Sequence, residues 1–230
     1  MSGIAIVNQL LLVFNLAIFG AISGAGIFGA QFYGCGDQKG VRHTFRFKIY
    51  ICAAITLIGI GVLYFFGENL ILMYLHGEST DQSLEAALHY GQQYLWVMLI
   101  GLVPFGVEQI YTSTLRECGE TVVSMKAGVV AVFVNLVLNY LLIFGKFGFP
   151  ELGVVGAAVA TVISRYVQAA IVIVWTHRHA DRMPFIVGAY KELTIPSQLT
   201  GKILVKGTPL MINEIMWSAG MATLMQCYSI

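Results

Sequence analysis

The sequence predicts an all-α membrane protein, a polytopic bundle of six transmembrane helices. Apolar residues make up 57% of the chain and charged residues only 11%. The mean hydropathy of +0.77 lies outside the usual range of soluble domains. Six apolar segments follow one another, and each could cross a hydrocarbon core of about 30 Å as a helix. They cover residues 4–32, 49–75, 90–115, 122–144, 153–176 and 206–230.

The first three segments are separated by polar connections. Residues 4–32 are too long for the apolar part of a signal peptide, and no basic stretch precedes them. GCGD at 34–37 ends the first segment and ECGE at 117–120 ends the third. The likeness of the two turns indicates either a weak internal repeat or two ordinary helix boundaries, because glycine followed by an acid is a common end of one helix and start of the next.

The fourth and fifth segments predict two helices joined by a short turn. Asn135 and Asn139 are the polar residues of the first arm, and their spacing of four places them on one helical face. Pro150 and the glycines around it break the helix, so we expect the turn at 145–153 to face outside. Small residues on the second arm predict a surface for close helix packing in lipid. They are Gly153, Gly156, Ala157, Ala160, Thr161 and Ser164.

The longest connection precedes the sixth segment. Residues 178–205 are basic, contain Pro184 and Pro196, and end in a short amphipathic piece at 197–206. We interpret this stretch as a cytoplasmic linker between two lobes. The predicted domains are therefore an N-terminal lobe at 1–177, the linker at 178–205, and the first helix of a second lobe at 206–230.

Basic residues orient the predicted bundle. Eleven of the 13 Lys and Arg lie in three connections, which we place in the cytoplasm. They are Lys39, Arg42, Arg46, Lys48, Arg116, Lys126, Arg178, Arg182, Lys191, Lys202 and Lys206. The connection at 68–89 carries acids but no Lys or Arg, so we place it outside. Residue 1 then starts outside and residue 230 ends inside an apolar run, so we expect a fragment that lacks at least one helix in front and more behind.

Several functions are not supported by the sequence. A net charge of +1 argues against a nucleic-acid partner. We find no CxxC pair, nucleophile and base pair, or phosphate-binding glycine loop, and we expect no enzyme activity, cofactor, bound metal or obligate protein partner. We interpret the four cysteines as small buried apolar residues. His177, His179 and Asp181 resemble a metal motif but fit a solvated interfacial loop better.

Four stretches resemble the multidrug and toxic compound extrusion (MATE) transporters. They are AQFYGCGD at 30–37, STLRECGET at 113–121, the helical pair at 135–164, and PLMINEIMWSAG at 209–220. The resemblance covers nearly the whole chain as the N-terminal half plus the first helix of the C-terminal half. It implies a fragment of a two-lobe, twelve-helix transporter in the plasma (inner) membrane. Such proteins exchange amphipathic, often cationic compounds for Na⁺ or H⁺, and their partners are the lipid bilayer and a small-molecule export substrate.

Glu214 is the first candidate for coupling to the cation. It lies about 12 Å into its segment by helical rise, in an otherwise uncharged run. Ionisable groups at such depth are costly and usually functional. Glu214 also matches the acidic position of the family's NE-x-x-W pattern, which implies a cation or proton site. The alternative is a structural glutamate bonded to the neighbouring lobe.

Asn135 and Asn139 are the second candidate. In many relatives the matching positions read Asn and then Asp, and they hold a cation or proton together with an Asp of the first helix. This chain departs from that pattern because Asn139 replaces the acid and the chain does not contain the other helix. An amide oxygen can still bind Na⁺, whereas interhelical hydrogen bonding is the alternative role.

Glu108 and Arg165 are the remaining charges at membrane depth. Helical rise places them about 12 Å and 18 Å from the cytoplasmic side. An unpaired charge costs about 2.5 to 3.5 kcal/mol there on insertion scales, so we predict an ion pair or polar network with a structural role. The alternative has Glu108 facing the central cavity and Arg165 bonded to backbone carbonyls.

Three functions follow from these features. The first is a secondary antiporter that exports drugs or toxic compounds by alternating access. The second is a lipid-linked precursor flippase of the same superfamily, which requires several basic residues in its cavity. The third is an integral-membrane enzyme, which requires a cluster of His, Asp or Glu at one interface.

Overall fold

The computed structural model describes residues 3–75, 81–148, 150–191 and 194–228, and within these ranges it contains helices and no strand. The helices are α1 (Gly3–Gly34), α2 (Gln38–Leu75), α3 (Asp81–Ile100), α4 (Leu102–Glu117), α5 (Thr121–Phe144), α6 (Gly153–Arg178) and α7 (Ser197–Tyr228). Short 3-10 helices cover Lys146–Gly148 and Pro184–Ile186. The all-α prediction is confirmed.

The helices fit a membrane bundle. Among the described residues α1, α2, α5 and α6 are each long and apolar enough to cross a bilayer, and the bent pair of α3 and α4 would form a fifth span. The sixth predicted segment, 206–230, lies in α7 and is continuous with the amphipathic piece at 197–206. The two form one helix of 32 residues, which continues through Pro209.

The third predicted segment is not a single straight helix. It breaks at Gly101, and the axes of its two parts differ in direction by 42°. Pro104 explains the position of the break, because a proline cannot donate the helical hydrogen bond to the carbonyl four residues before it and its ring clashes with that carbonyl. The carbonyl in question belongs to Ile100, the last residue of α3.

Helices extend well into the predicted loops. The basic residues at 39–48 lie on the first turns of α2, not in a loop. The outer connection predicted at 68–89 is largely helical, because α2 ends at Leu75 and α3 begins at Asp81. The rest of that connection, 76–80, lies outside the described residues.

Helix α1 lies at the centre of the bundle and packs against α2, α3, α4 and α7. Its fully buried residues include Ile6, Val7 and Ile18. Against α7 the two backbones nearly touch, since a Cβ added to Gly24 would lie 2.4 Å from the Cα of Gly207. Only glycine permits this approach.

Helices α5 and α6 form the predicted pair. Gly156 packs directly on the carbonyl of Leu142, where an added Cβ would lie 2.7 Å from the oxygen. The turn between the helices uses the left-handed region at Gly145 (φ 61°) and at Phe147 (φ 57°), which is 89% exposed. A bulky residue in this conformation is unusual, and the position of the phenylalanine at an exposed turn is a structural feature that the sequence did not indicate.

Candidate functional site

The two amides of α5 form a hydrogen-bonded chain toward α6. Asn139 donates through Nδ2 to Oδ1 of Asn135 at 2.9 Å, and Asn135 donates to the hydroxyl of Thr161 at 3.4 Å. Thr161 in turn donates to the carbonyl of Ala157 at 2.9 Å. The Oδ1 atom of Asn139 is buried and has no hydrogen-bond partner among the described residues. The structure therefore shows interhelical bonding and also a carbonyl oxygen with free acceptor capacity.

Glu108 lies inside the bundle, where it is 5% exposed. Its Oε1 accepts hydrogen bonds from the Thr112 hydroxyl at 2.7 Å and from the Gln168 amide at 3.1 Å. Its Oε2 accepts from the Gln109 amide at 3.0 Å. Three neutral donors thus surround the carboxylate, and Gln168 links it from α4 to α6.

Arg165 binds at the helix break. Its Nη1 donates to the carbonyl of Gly101 at 3.3 Å, and the guanidinium carbon lies 5.1 Å from the ring centre of Phe105. An aromatic face and a backbone carbonyl both stabilise a cation in a site of low polarity. Arg165 therefore supports the bend between α3 and α4.

The ion pair predicted between Glu108 and Arg165 is not formed in the described part of the chain. Helical rise gave the depth of each residue but not the direction in which its side chain points. Each charge has its own set of partners, and the two sets do not overlap. The polar network predicted for Glu108 is present, but it contains glutamine and threonine instead of the arginine.

A charged pair that the sequence did not predict joins α2 to α4. Lys48 is 0% exposed, and its Nζ donates to Oε1 and Oε2 of Glu117 at 2.5 and 2.7 Å. It also donates to the hydroxyls of Ser113 and Thr114, both at 3.1 Å. The sequence indicates only that Lys48 belongs to a cytoplasmic connection. The ammonium group is instead fully coordinated, which is the condition under which a buried ion is tolerated.

Two glycines of helix α1 leave space for the Glu117 carboxylate. A Cβ added to Gly29 would lie 2.2 Å from Oε2 of Glu117, and one added to Gly26 would lie 2.8 Å from Oε1. Glu117 also lines a cavity of about 350 Å³ between α1 and α4. The glycines thus provide the space in which Glu117 reaches Lys48.

Glu214 lies on α7 and is partly buried. Its carboxylate forms no hydrogen bond or ion pair with the described residues. The neighbouring Asn213 lines a groove with Pro209 and Met216 on the surface of the helix. Glu214 and the α5 amides are not brought together by any contact in the described structure.

The linker packs tightly on the N-terminal helices, a contact that its basic sequence did not indicate. Arg46 is 3% exposed and donates to the carbonyls of Ala189 at 2.8 Å, Gly188 at 2.9 Å and Thr194 at 3.4 Å. Arg42 donates to the carbonyls of Phe185 at 3.0 Å and Pro184 at 3.2 Å. We call these two arginines the linker clamp.

Aromatic rings complete the linker attachment. Phe45 of α2 packs against Tyr111, Phe185 and Tyr190, with ring centres 5.3 to 6.3 Å apart. The hydroxyls of Tyr111 and Tyr190 share a hydrogen bond. The ring of His177 is stacked on Tyr190, so α6 also contributes to this cluster.

The histidines near the linker bond within their own helix. Nδ1 of His177 contacts the carbonyl of Ile173, and Nδ1 of His179 contacts that of Trp175, each at 2.9 Å. In the part of the chain that the structure describes, no three His, Cys, Asp or Glu side chains are grouped closely enough to hold a metal ion.

The cysteines differ from one another. Cys52 and Cys118 are buried as predicted, whereas Cys35 is exposed at the end of α1, so the prediction was wrong there. The side chain of Cys227 lies outside the described residues. Burial, with the neighbouring Glu117 carboxylate, raises the pKa of the Cys118 thiol to about 12, so this thiol stays protonated near neutral pH.

These features define a helical membrane protein with polar groups at membrane depth and a fixed linker on one side. Comparison with known proteins gives the family. Residues 1–141 match the MatE family. A probable multidrug resistance protein NorM of Thermotoga maritima is 33% identical over 221 residues, which is 96% of this chain and 45% of that protein. A probable NorM of Bacillus licheniformis is 28% identical over 91% of this chain and 45% of its own length.

Solved structures have the same fold. A multidrug resistance MATE family transporter of the MOP superfamily, solved in an inward-facing conformation, superposes with a TM-score of 0.79. It is 19% identical, and the match covers 95% of this chain and 47% of the transporter. This chain therefore spans about half the length of its relatives. It belongs to the MATE family, which is a family of transport proteins and not of enzymes.

Proposed function

We propose that this protein is a secondary antiporter that exports amphipathic, often cationic drugs or toxic compounds in exchange for Na⁺ or H⁺ by alternating access. The observation that carries the proposal is the similarity to the Thermotoga maritima protein over 96% of the chain. We place the protein in the plasma (inner) membrane as a multi-pass protein.

Glu214, Asn135 and Asn139 are the residues that we propose for cation coupling. A coupling site must take up and release its ion, so it needs oxygen atoms that the protein has not already saturated. Asn139 has a buried Oδ1 with free acceptor capacity, and Glu214 has no partner among the described residues. Both therefore fit the role better than Glu108, whose two oxygens accept three hydrogen bonds.

The flippase alternative has less support. A site for a lipid pyrophosphate needs several basic side chains directed into the cavity. Arg165, a basic residue at membrane depth, instead contacts Gly101 and Phe105 at the helix break.

Ethidium efflux in a drug-hypersensitive bacterial strain tests the proposal. We expect the full-length protein to lower ethidium accumulation, and collapse of the Na⁺ or H⁺ gradient to abolish this effect. Glu214→Gln should remove export at unchanged expression. Glu151→Gln, which removes an exposed carboxylate at the outer turn, is the matched control and should have no effect. Full export by the Glu214 variant would exclude its role, and absence of efflux by the unmodified protein would contradict the function.

A further inference from the structure

A second cavity lies where α1 ends and where α2 and α7 begin. It has a volume of about 560 Å³, and we call it the α1–α2–α7 pocket. The charge distribution of the sequence puts this end of the bundle at the cytoplasmic face. None of the features assigned to transport above lies in this pocket.

The charged groups in the pocket favour an anion. Lys39 and Lys202 line it from α2 and α7. The acid in the lining is Asp37, and its Oδ1 already accepts hydrogen bonds from the backbone N–H groups of Lys39 and Gly40, both at 3.0 Å. Asp37 thereby caps the N-terminus of α2, so the positive charge at the pocket comes from the two lysines and from the N-terminus of α7.

A buried polar atom of the lining also lacks a partner. His43 lines the pocket, and its partly exposed ring hydrogen-bonds with the backbone of Thr194, while its Nδ1 atom is buried and has no partner among the described residues. Gln31 and Gln198 supply further side-chain amides from α1 and α7. Ammonium, imidazole and amide groups together are the donors that proteins use for phosphate oxygens.

The remaining wall is apolar. Phe28, Phe32 and Leu199 line the pocket next to the lysines. Lys206 extends the positive charge, because its Nζ lies 5.7 Å from the ring centre of Phe28. An amphiphile with an anionic group fits this combination of a polar and an apolar wall.

We propose that the α1–α2–α7 pocket binds the phosphate group of an anionic ligand, and that an anionic phospholipid of the cytoplasmic leaflet supplies it. The cytoplasmic leaflet carries the negative lipids, and basic groups at its surface attract them. The site joins the N-terminal helices to the start of α7. The proposal does not depend on which compound is exported.

Native mass spectrometry of the full-length protein with phosphatidylglycerol and phosphatidylcholine tests the site. The unmodified protein should bind phosphatidylglycerol more tightly, and Lys39→Gln with Lys202→Gln should weaken this binding about tenfold or more. The control is Lys126→Gln with Lys191→Gln, which removes the same charge from exposed positions outside the pocket and should change binding little. Leu199→Trp fills the pocket without a change of charge and should also reduce binding.

A competition experiment with inorganic phosphate identifies the source of the phosphate group. Inorganic phosphate that displaces phosphatidylglycerol from the unmodified protein, but has no effect on the Lys39 and Lys202 variant, would support the phosphate site. Displacement of phosphatidylglycerol at physiological phosphate concentration would show that the pocket binds a soluble phosphate ligand and would overturn the assignment to a lipid. Equal binding of both lipids, or equal losses in the pocket and control variants, would overturn the proposal. Failed ethidium efflux would contradict the transport function without affecting this result.

Discussion

Replacement of Arg46 by glutamine should release the linker from the N-terminal helices. Arg46 makes two short charge-assisted hydrogen bonds to linker carbonyls, at 2.8 and 2.9 Å, and a weaker one at 3.4 Å. Glutamine is shorter, is uncharged, and cannot donate to three carbonyls at once. The variant therefore removes the Arg46 part of the linker clamp and leaves the Arg42 bonds and the aromatic cluster around Phe45 intact.

The expected loss can be derived from these bonds. A hydrogen bond to a charged group contributes about 1.5 to 3 kcal/mol, so the two short bonds contribute about 3 to 6 kcal/mol. The released carbonyls regain water once the linker detaches, so we take the lower limit of about 3 kcal/mol. Since about 1.4 kcal/mol corresponds to a factor of ten, local opening should increase about 100-fold.

Hydrogen exchange of linker residues 183–191, in the protein reconstituted in nanodiscs, measures this opening. The amides of Ala189 and Lys191 are suitable reporters, because they donate within the linker to the carbonyls of Ile186 and Gly188. Arg182→Gln, at an exposed position of the linker outside the clamp, is the matched control. Unchanged exchange in the Arg46 variant, or an equal rise in the control, would refute the clamp.

Three further predictions follow from the described contacts. Gly29→Ala should lower the free energy of unfolding by about 1 to 3 kcal/mol, because its Cβ would meet the Glu117 carboxylate. The control Gly128→Ala, in open space on α5, should be neutral or stabilising. Equal effects of the two substitutions on stability would contradict the close packing of Gly29 against Glu117. Lys48→Met should cost about 3 to 5 kcal/mol by leaving Glu117 buried and unpaired, and adding Glu117→Gln should recover part of this loss. Strictly additive losses would show that the pair is not coupled. Phe147→Cys should react with an impermeant thiol reagent from outside the cell, and labelling only from the cytoplasmic side would reverse the topology.

The helices could be predicted from sequence because the bilayer imposes strong constraints. A chain crossing hydrocarbon must satisfy its backbone hydrogen bonds within the segment, so a long apolar run indicates a helix. The described spans agree with this reasoning. The break at Gly101 had a local signal in Pro104 that the hydropathy pattern concealed, since both parts of the bent pair are apolar.

The polar contacts were harder to predict. Arg42 and Arg46 bind backbone carbonyls, and a carbonyl has no sequence signature. Lys48 is next to the predicted membrane boundary, where a lysine normally extends to water. Its burial depends on Glu117, 69 residues away, and on two glycines of another helix. Such a site becomes visible only when the relative rotation of three helices is known.

The charges of this lobe are stabilised in different ways, and their partners differ from those of the residues proposed for coupling. Lys48 and Glu117 neutralise one another, and Arg165 binds a carbonyl and an aromatic face. An ion that entered these sites would have to displace existing partners, at a cost in free energy that its own binding would have to exceed.

Among the described residues, the Asn139 oxygen and the Glu214 carboxylate have no partner that an ion would have to displace. The Asn139 oxygen is already buried without a described partner, so a cation there would satisfy an acceptor that is otherwise left unpaired. An amide at this position carries no titratable group. Under the proposed roles, Glu214 could hold a proton, whereas Na⁺ could use the amide oxygens. The ion dependence of export by the Asn139→Asp variant should distinguish Na⁺ coupling from H⁺ coupling, because the new carboxylate adds a titratable group only at the α5 site.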